Sequence, residues 1–355
     1  MESFEPRSFI RNDIKLNFFM NDSMAWPEFT DGLSAIQAIS DDELAQRCAG
    51  AFNNWIVQPA VLLARRGIPF TWGEKLLPDA INVVSSIDFG IRHRDVHSFI
   101  LAMRADGPFP CIANYVAQQN LLELRDGMSS FFPHLPQPGL IERNELRLAM
   151  VKNISFKGDI SNLDPAFRSN WFIKSLRERG IDLRIDLRST DWSSGMKMHD
   201  YSDIDVVLAV RNLTRRDYRV KPASKLVNAW LAGVPAILGP EPAFRQLRRS
   251  DLDYLEVETP DEALLALDRL RTEPALYEAM VDNGRKRAQE FTRDAVLDWW
   301  ISEINGPVYS AFTDWRKKHD IFKVLRYPVA ALKHKISFRH AELVRKIGSR
   351  GAGSR

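Results

Sequence analysis

Lys221 and Lys225 flank the start of a predicted helix in the stretch VKPASKLVNAWLAGVPAILGPEPAFRQL, Val220 to Leu247. The free N–H groups and positive dipole end of a helix N-terminus favour an anion, and two ammonium groups add to that field. The pair reads either as solvated helix-start lysines or as a phosphate site; without an anion a lysine at this end is slightly unfavourable, which makes the bound anion the more attractive explanation. Arg211 follows the apolar run DVVLAV. If that run is a buried parallel strand, Arg211 lies at its carboxyl end, where open α/β sheets bind ligands. Arg211, Arg215, Arg216 and Arg219 then read either as a phosphate-facing loop or as surface charge.

The elements that must position these residues are readable. Pro222 suits the first turn of the helix. Leu226, Val227, Trp230 and Leu231 recur at helical spacing, and Gly233 suits a left-handed stop. Pro235 to Leu238 is a short apolar strand closed by Gly239-Pro240. Ahead of this stretch, Arg147–Phe156 reads as a strand, Asp164–Arg179 as a helix closed by Gly180, and Ile181–Leu187 as a strand. Behind it come a strand (Leu252–Val257) and helices over Pro260–Arg271, Pro274–Glu290 and Arg293–Ile304. The first part of the chain shows the same rhythm. It has a helix over Ala60–Arg66, strands over Ile68–Trp72 and through AINVVSSIDF, a helix over Arg94–Arg104 and a strand over Pro110–Tyr115. Alternating strands and helices with short loops predict parallel α/β sheets. HLPQPG, His134 to Gly139, begins the linker between the two series. The expected domains are 1–143, 144–300 and a helical, basic extension over 301–355.

At 355 residues and 45% apolar content the chain is long enough for about two well-packed domains. No apolar run approaches the length of a membrane span, and MESFEPRSFIRND lacks the core of a signal peptide, so a cytoplasmic location is expected. Cys48 and Cys111 have no CxxC pairing and read as reduced thiols. The net charge of +3 is unevenly placed: Asp314–Arg355 holds 12 Lys/Arg and 3 Asp/Glu, or +9, which leaves −6 for the rest. That tail interleaves Trp315, Phe322, Leu325, Tyr327, Leu332 and Phe338 with its cations. It suits an amphipathic segment on an anionic membrane, or a helix packed back on the body. The acidic remainder and the lack of a binding motif exclude nucleic acid as the expected partner. No P-loop, HExxH or GxSxG is present, which disfavours nucleotide hydrolysis, zincin and α/β-hydrolase chemistry.

Two α/β series, a proline-rich linker and KPASKLVNAWLAGVPAILG late in the second series together resemble the GT-B glycosyltransferases, most closely over Lys152–Trp300. The resemblance implies two Rossmann-like domains facing across a cleft, with a nucleotide-sugar donor in the second and a glycan or lipid-linked acceptor in the first. Lys225 would then face the donor diphosphate, assisted by Ser224 and the backbone at Leu226 or Val227. Gly158 would let backbone approach phosphate, and Glu241 would present a polar group to ribose or sugar. Many retaining members carry a spaced pair of glutamates here. Val220 and Asn228 stand at the matching positions, so Asn228 replaces an expected acid. An inverting transfer needs a base for the acceptor hydroxyl, and Asp88, at the end of INVVSSID, or His93 suits that role. The bland alternative is that Asp95 caps a helix and His93 is an ordinary loop residue. Asp200, Asp203 and Asp205 cluster near Tyr201, but Asp203 and Asp205 read as flanking or capping a helix turn rather than as part of a metal site, and neither cofactor nor metal is expected. The function so implied is sugar transfer in surface polysaccharide or glycoconjugate synthesis. A sugar-nucleotide epimerase and a non-catalytic glycan- or partner-binding scaffold are the alternatives.

Overall fold

Two all-parallel β-sheets divide the strands of this chain, seen in a computed structural model that describes residues 9–20, 25–48, 50–186, 198–211 and 219–351. The first contains β1 (Leu16–Phe19), β2 (Thr71–Gly73), β3 (Ile81–Ser85), β4 (Phe99–Met103), β5 (Tyr115–Gln118) and β6 (Ser129–Phe131), in the order β2-β1-β3-β4-β5-β6. The second contains β7 (Asn153–Lys157), β8 (Asp182–Asp186), β9 (Val206–Ala209), β10 (Ala236–Leu238) and β11 (Leu255–Glu256), in the order β11-β10-β9-β7-β8. Each sheet anchors one compact unit. One unit comprises Met1–Ile39, Gly50–Pro133 and Leu297–Arg355; the other comprises Ser40–Ala49 and His134–Val296. These are the two α/β units with a helical C-terminus that the resemblance implies.

In both sheets the strand order reverses once. The second strand in sequence lies outside the first, and the third lies on its other side, so the reversal falls between β1 and β3 and between β7 and β9. At such a point the two flanking crossovers leave on opposite faces and open a crevice at the strands' carboxyl ends. Val206 and Val207 of β9 pair with Ile154 and Ser155 of β7, and Ala236 of β10 pairs with Val207. This register aligns the carboxyl ends of β7, β9 and β10.

One predicted helix is a strand. The stretch expected to be helical over Arg94–Arg104 forms β4, with Phe99 to Met103 all buried and paired with Ile81 to Ser85. A central strand of a parallel sheet is covered on both faces, so its apolar run is continuous, and five apolar residues in a row fit helix and strand equally. Likewise the strand expected over Pro110–Tyr115 begins only at Tyr115. The helix expected from Asp164 is a 3-10 turn, Pro165–Arg168, followed by α3 (Asn170–Glu178), whose start Ser169 caps by accepting the Phe172 N–H.

Near the N-terminus, α1 (Asp41–Arg47) opens on a reciprocal cap between Ser40 and Glu43. Next, α2 (Gln58–Arg65) is buried over its first seven residues. In the second unit, α4 (Ser224–Leu231) ends before Gly233, whose φ of 67° is the left-handed stop. After it come α5 (Pro242–Leu247), α6 (Pro260–Thr272) and α7 (Pro274–Ala288).

The last three helices are α8 (Arg293–Glu303), α9 (Tyr309–Lys317) and α10 (Asp320–Gly351). Trp300 stacks on Trp55, ring centroids 5.5 Å apart, and donates to the Pro133 carbonyl at 2.8 Å. Phe312 and Trp315 pack edge-on against Phe99. Tyr327 donates to the Ile91 carbonyl, and with Ala331 packs on the cluster of Phe19, Val84 and Phe89. The C-terminal helices are therefore part of the first unit, built against its sheet.

Candidate functional site

The residues proposed to meet a donor converge at the reversal point of the second sheet. Gly158 directly follows β7, Arg211 lies two residues beyond β9, and Glu241 follows β10 after Gly239-Pro240. The loop leaving β7 returns across the strand ends: Leu163 pairs with Arg211, and the Asp164 N–H donates to the Val210 carbonyl. Gly158 has φ 150°, a region open to glycine and strained for other residues. A Cβ there would stand 3.2 Å from Lys225 Nζ. The ammonium group therefore lies against backbone that only glycine leaves clear, and it also sits 5.3 Å over the Phe156 ring.

The centre of the site is Glu241. It is buried, 1% exposed, and no donor hydrogen-bonds either of its carboxyl oxygens among the described residues. Arg211, also buried, brings Nε to 3.4 Å from Oε1 without hydrogen-bond geometry, and that Nε is itself unsatisfied. Burial pushes the Glu241 carboxyl above its ordinary value, while Arg211, Lys225 and Lys221 pull it back. One buried carboxyl is thus under the influence of three cations, Arg211 beside it and the half-buried Lys221 and Lys225 through their charge. Their excess positive charge suits a phosphate, and the idle carboxyl oxygens suit hydroxyl donors.

The helix that carries Lys225 adds to this field. Ala223 holds the cap position of α4 and has no side chain able to accept, so no side-chain cap covers the first-turn N–H groups. Ser224 opens the helix at this point. The N–H groups of Leu226 and Val227, expected to assist, instead donate to the Ala223 carbonyl within the helix. Asn228 also has protein partners. Its Oδ1 accepts the Gln137 N–H at 3.1 Å, and its side chain lies near the buried Tyr201 hydroxyl. It ties α4 to the segment that follows His134. Arg215 and Arg216 lie outside the described residues.

Sequence reasoning passed over Lys157, the last residue of β7. Its ammonium group is buried and bridges Asp186 and the Asp200 carbonyl, both at 2.6 Å, beneath the Tyr201 ring. Burial lowers its pKa, against the pull of Asp186. The signal available was a lysine ending a run of alternating apolar residues. Asp205, expected to flank or cap a turn, is an anchor instead. Its buried carboxylate accepts from Arg143 at 2.8 Å, from Arg147 twice at 2.7 Å, and from the backbone N–H groups of Lys152 and Asn153 at 2.8 and 2.9 Å. Among the described residues no group of three or more His, Cys, Asp and Glu side chains is placed to hold a metal ion.

In the first unit, Asp88 and His93 fall at the corresponding reversal point. Asp88 lies three residues past β3, and the Ser85 hydroxyl donates to it. The His93 ring packs against Phe19, the last residue of β1, and against Phe89. Its Nδ1 accepts the Gly90 N–H at 3.1 Å, while the Arg92 guanidinium stands 2.9 Å from Nε2. Burial, then Arg92, lowers its pKa. Asp95 accepts the His97 N–H and the Ser98 hydroxyl, closing a turn ahead of β4 rather than capping a helix.

A parallel α/β unit with cations and an unsatisfied carboxyl at its strand-order reversal has groups able to bind an anionic, hydroxyl-bearing ligand. Residues 168–300, which take in most of the second unit, match a protein family described as Glycosyl transferase-like. Solved structures with similar folds include HepE of Anabaena in complex with UDP and glucose (10% identity, 82% of this chain and 98% of that one, TM-score 0.49). Two others are sucrose-phosphate synthase of Thermosynechococcus elongatus (11%, 76% and 80%, 0.46) and the pneumococcal O-GlcNAc transferase GtfA with UDP and GlcNAc (11%, 72% and 60%, 0.47). No curated protein matches the sequence.

Proposed function

We propose that the protein transfers a sugar from a nucleoside diphosphate sugar to a glycan or lipid-linked acceptor in surface polysaccharide or glycoconjugate synthesis. The observation that carries this reading is the buried pair of Arg211 and the unsatisfied Glu241, with the charges of Lys221 and Lys225 acting on it, at the carboxyl ends of β7, β9 and β10. Lys225, Lys221 and Arg211, with the open start of α4, would hold the donor diphosphate and stabilise its charge as the sugar departs. Glu241 would accept hydrogen bonds from ribose or sugar hydroxyls, which satisfies its idle oxygens. Gly158 keeps the backbone low enough for the phosphate to reach Lys225. No cofactor or metal is assigned, because the three cations supply the neutralising charge.

Asp88 is the base we assign for the acceptor hydroxyl. Both ring nitrogens of His93 are already engaged, Nδ1 by the Gly90 N–H and Nε2 by the Arg92 guanidinium, so its role is to shape the loop around Asp88. A cytoplasmic enzyme working at a membrane face fits this acceptor class; among the described residues no helix is long and apolar enough to cross a membrane. The test is calorimetric titration of the folded protein with UDP, GDP and their sugar conjugates. Binding of one nucleoside diphosphate, lost in Lys225→Ala, is expected; no binding to any overturns the reading.

A further inference from the structure

The basic C-terminal helix presents two different faces. Toward the sheet, Tyr327, Ala331 and His334 are covered, and Phe338 lies against the His334 ring with centroids 4.1 Å apart. Trp315, in the preceding helix, is buried as well. On the other side Phe322, Leu325, Val329, Leu332, Ile336 and Leu343 are each 56–65% exposed. Their spacing of three, four or seven residues gathers them within about 80° of the helix circumference, along roughly 30 Å of its length. Apolar side chains needed to hold α10 on the sheet are already used on the inner face. The outer stripe does nothing for the folded unit and costs solubility.

Charge decides what covers it. From Ile321 to Val344 there are five Lys/Arg and one acid, Glu342. Arg326, Lys333 and Arg339 are exposed beside the stripe. Where α10 begins, Lys318, Phe322 and Arg326 line a recess against Ile112 and Asn114, placing cations at the near end of the apolar row. An apolar stripe bordered by lysine and arginine matches a bilayer whose acyl chains lie beneath anionic headgroups.

We infer that the outer face of α10 docks the protein on an anionic phospholipid surface, with the helix lying in the plane of the interface and Phe322, Leu325, Val329, Leu332, Ile336 and Leu343 inserted among the acyl chains. This deepens the lipid-linked-acceptor reading by naming the face through which the enzyme meets its membrane. It stands on its own geometry and is measured without any donor present.

The full chain is sedimented with vesicles of phosphatidylcholine and phosphatidylglycerol in equal parts, and with phosphatidylcholine alone. Binding to the mixed vesicles, weakened by salt and absent on pure phosphatidylcholine, is expected. The triple variant L325S/L332S/I336S should bind on the order of 30-fold more weakly, since each side chain loses its insertion into the bilayer. R326Q/K333Q/R339Q should lose on the order of 100-fold. All six positions are exposed, so both variants should keep the circular dichroism spectrum and nucleotide affinity of the wild type. Folded wild-type protein that ignores anionic vesicles overturns the inference, as does a serine variant that binds them equally well. It is also overturned if the wild type forms a dimer that the serine variant dissolves while neither binds vesicles, because a second copy then covers the stripe.

Discussion

Two carboxyl groups of the second unit, Asp205 and Glu241, are almost equally buried and have opposite surroundings. Asp205 accepts five hydrogen bonds, three from arginines and two from backbone, and these hold it below the ordinary carboxylate range against the cost of burial. Glu241 accepts none among the described residues and is pushed up by burial, although three cations stand near it. Folding alone explains Asp205, which pins Arg143, Arg147 and the start of β7 to the start of β9. It does not explain Glu241, whose burial without partners costs stability. Burial therefore does not separate these two acids; unused hydrogen-bonding capacity does.

The largest test of this contrast is Asp205→Ala. It leaves two arginines facing an empty, buried position and should destabilise the protein by about 3–5 kcal/mol in denaturant titration. A loss under 1 kcal/mol would remove the structural half of the contrast. Next, Lys225→Ala should weaken nucleoside diphosphate binding by roughly 10- to 150-fold, the worth of a charge-assisted hydrogen bond, with an unfolding midpoint near that of the wild type. Gly158→Ala adds strain at φ 150° and crowds Lys225 Nζ. About tenfold weaker nucleotide binding is expected, with a stability cost of roughly 1 kcal/mol.

The smallest effect and sharpest contrast should come from Glu241→Gln. The folded protein keeps the Glu241 proton at pH values where the unfolded chain has released it, so stability should fall as pH rises above about 4.5. The glutamine variant should flatten that slope, equal or exceed the wild type in stability at neutral pH, and bind the donor more weakly. Asp205 has the opposite sign. Its contribution is complete above about pH 3.8 and disappears as pH falls through its lower folded value. Thermal melts of wild type and E241Q across this range separate the two groups; parallel curves would mean that Glu241 is not strained by its site.

The placement of Lys225 and Arg211 at element ends was readable because its signals are local. Pro222, the apolar spacing from Leu226 to Leu231, Gly233 and the run Pro235–Leu238 mark helix, stop and strand within one short stretch, and they put Lys225 at a helix start. Arg211 followed from an apolar run long enough to be a buried strand. What was not readable depends on distant partners. Asn228 is held by Gln137, and nothing near either residue announces the pairing. The apolar run Phe99–Met103 carries no period that separates helix from strand. In the tail, the aromatic and basic residues were visible, but only the packed helix shows that Tyr327 and Phe338 turn inward while Phe322 and Leu325 turn out.

The placement of α1 bears on how the chain is made. This helix, from the first fifty residues, is a member of the second unit: Asp41 pairs with Arg293, and Gly139 passes so close that a Cβ there would meet Ala45 Cβ at 2.7 Å. During synthesis the helix must wait for a partner that leaves the ribosome after the whole first sheet. A fragment cut at the proline-rich linker would lack a piece of its own core. The two units are thus interlocked in sequence, and inheritance, truncation or swapping of the second unit has to carry Ser40–Ala49 with it.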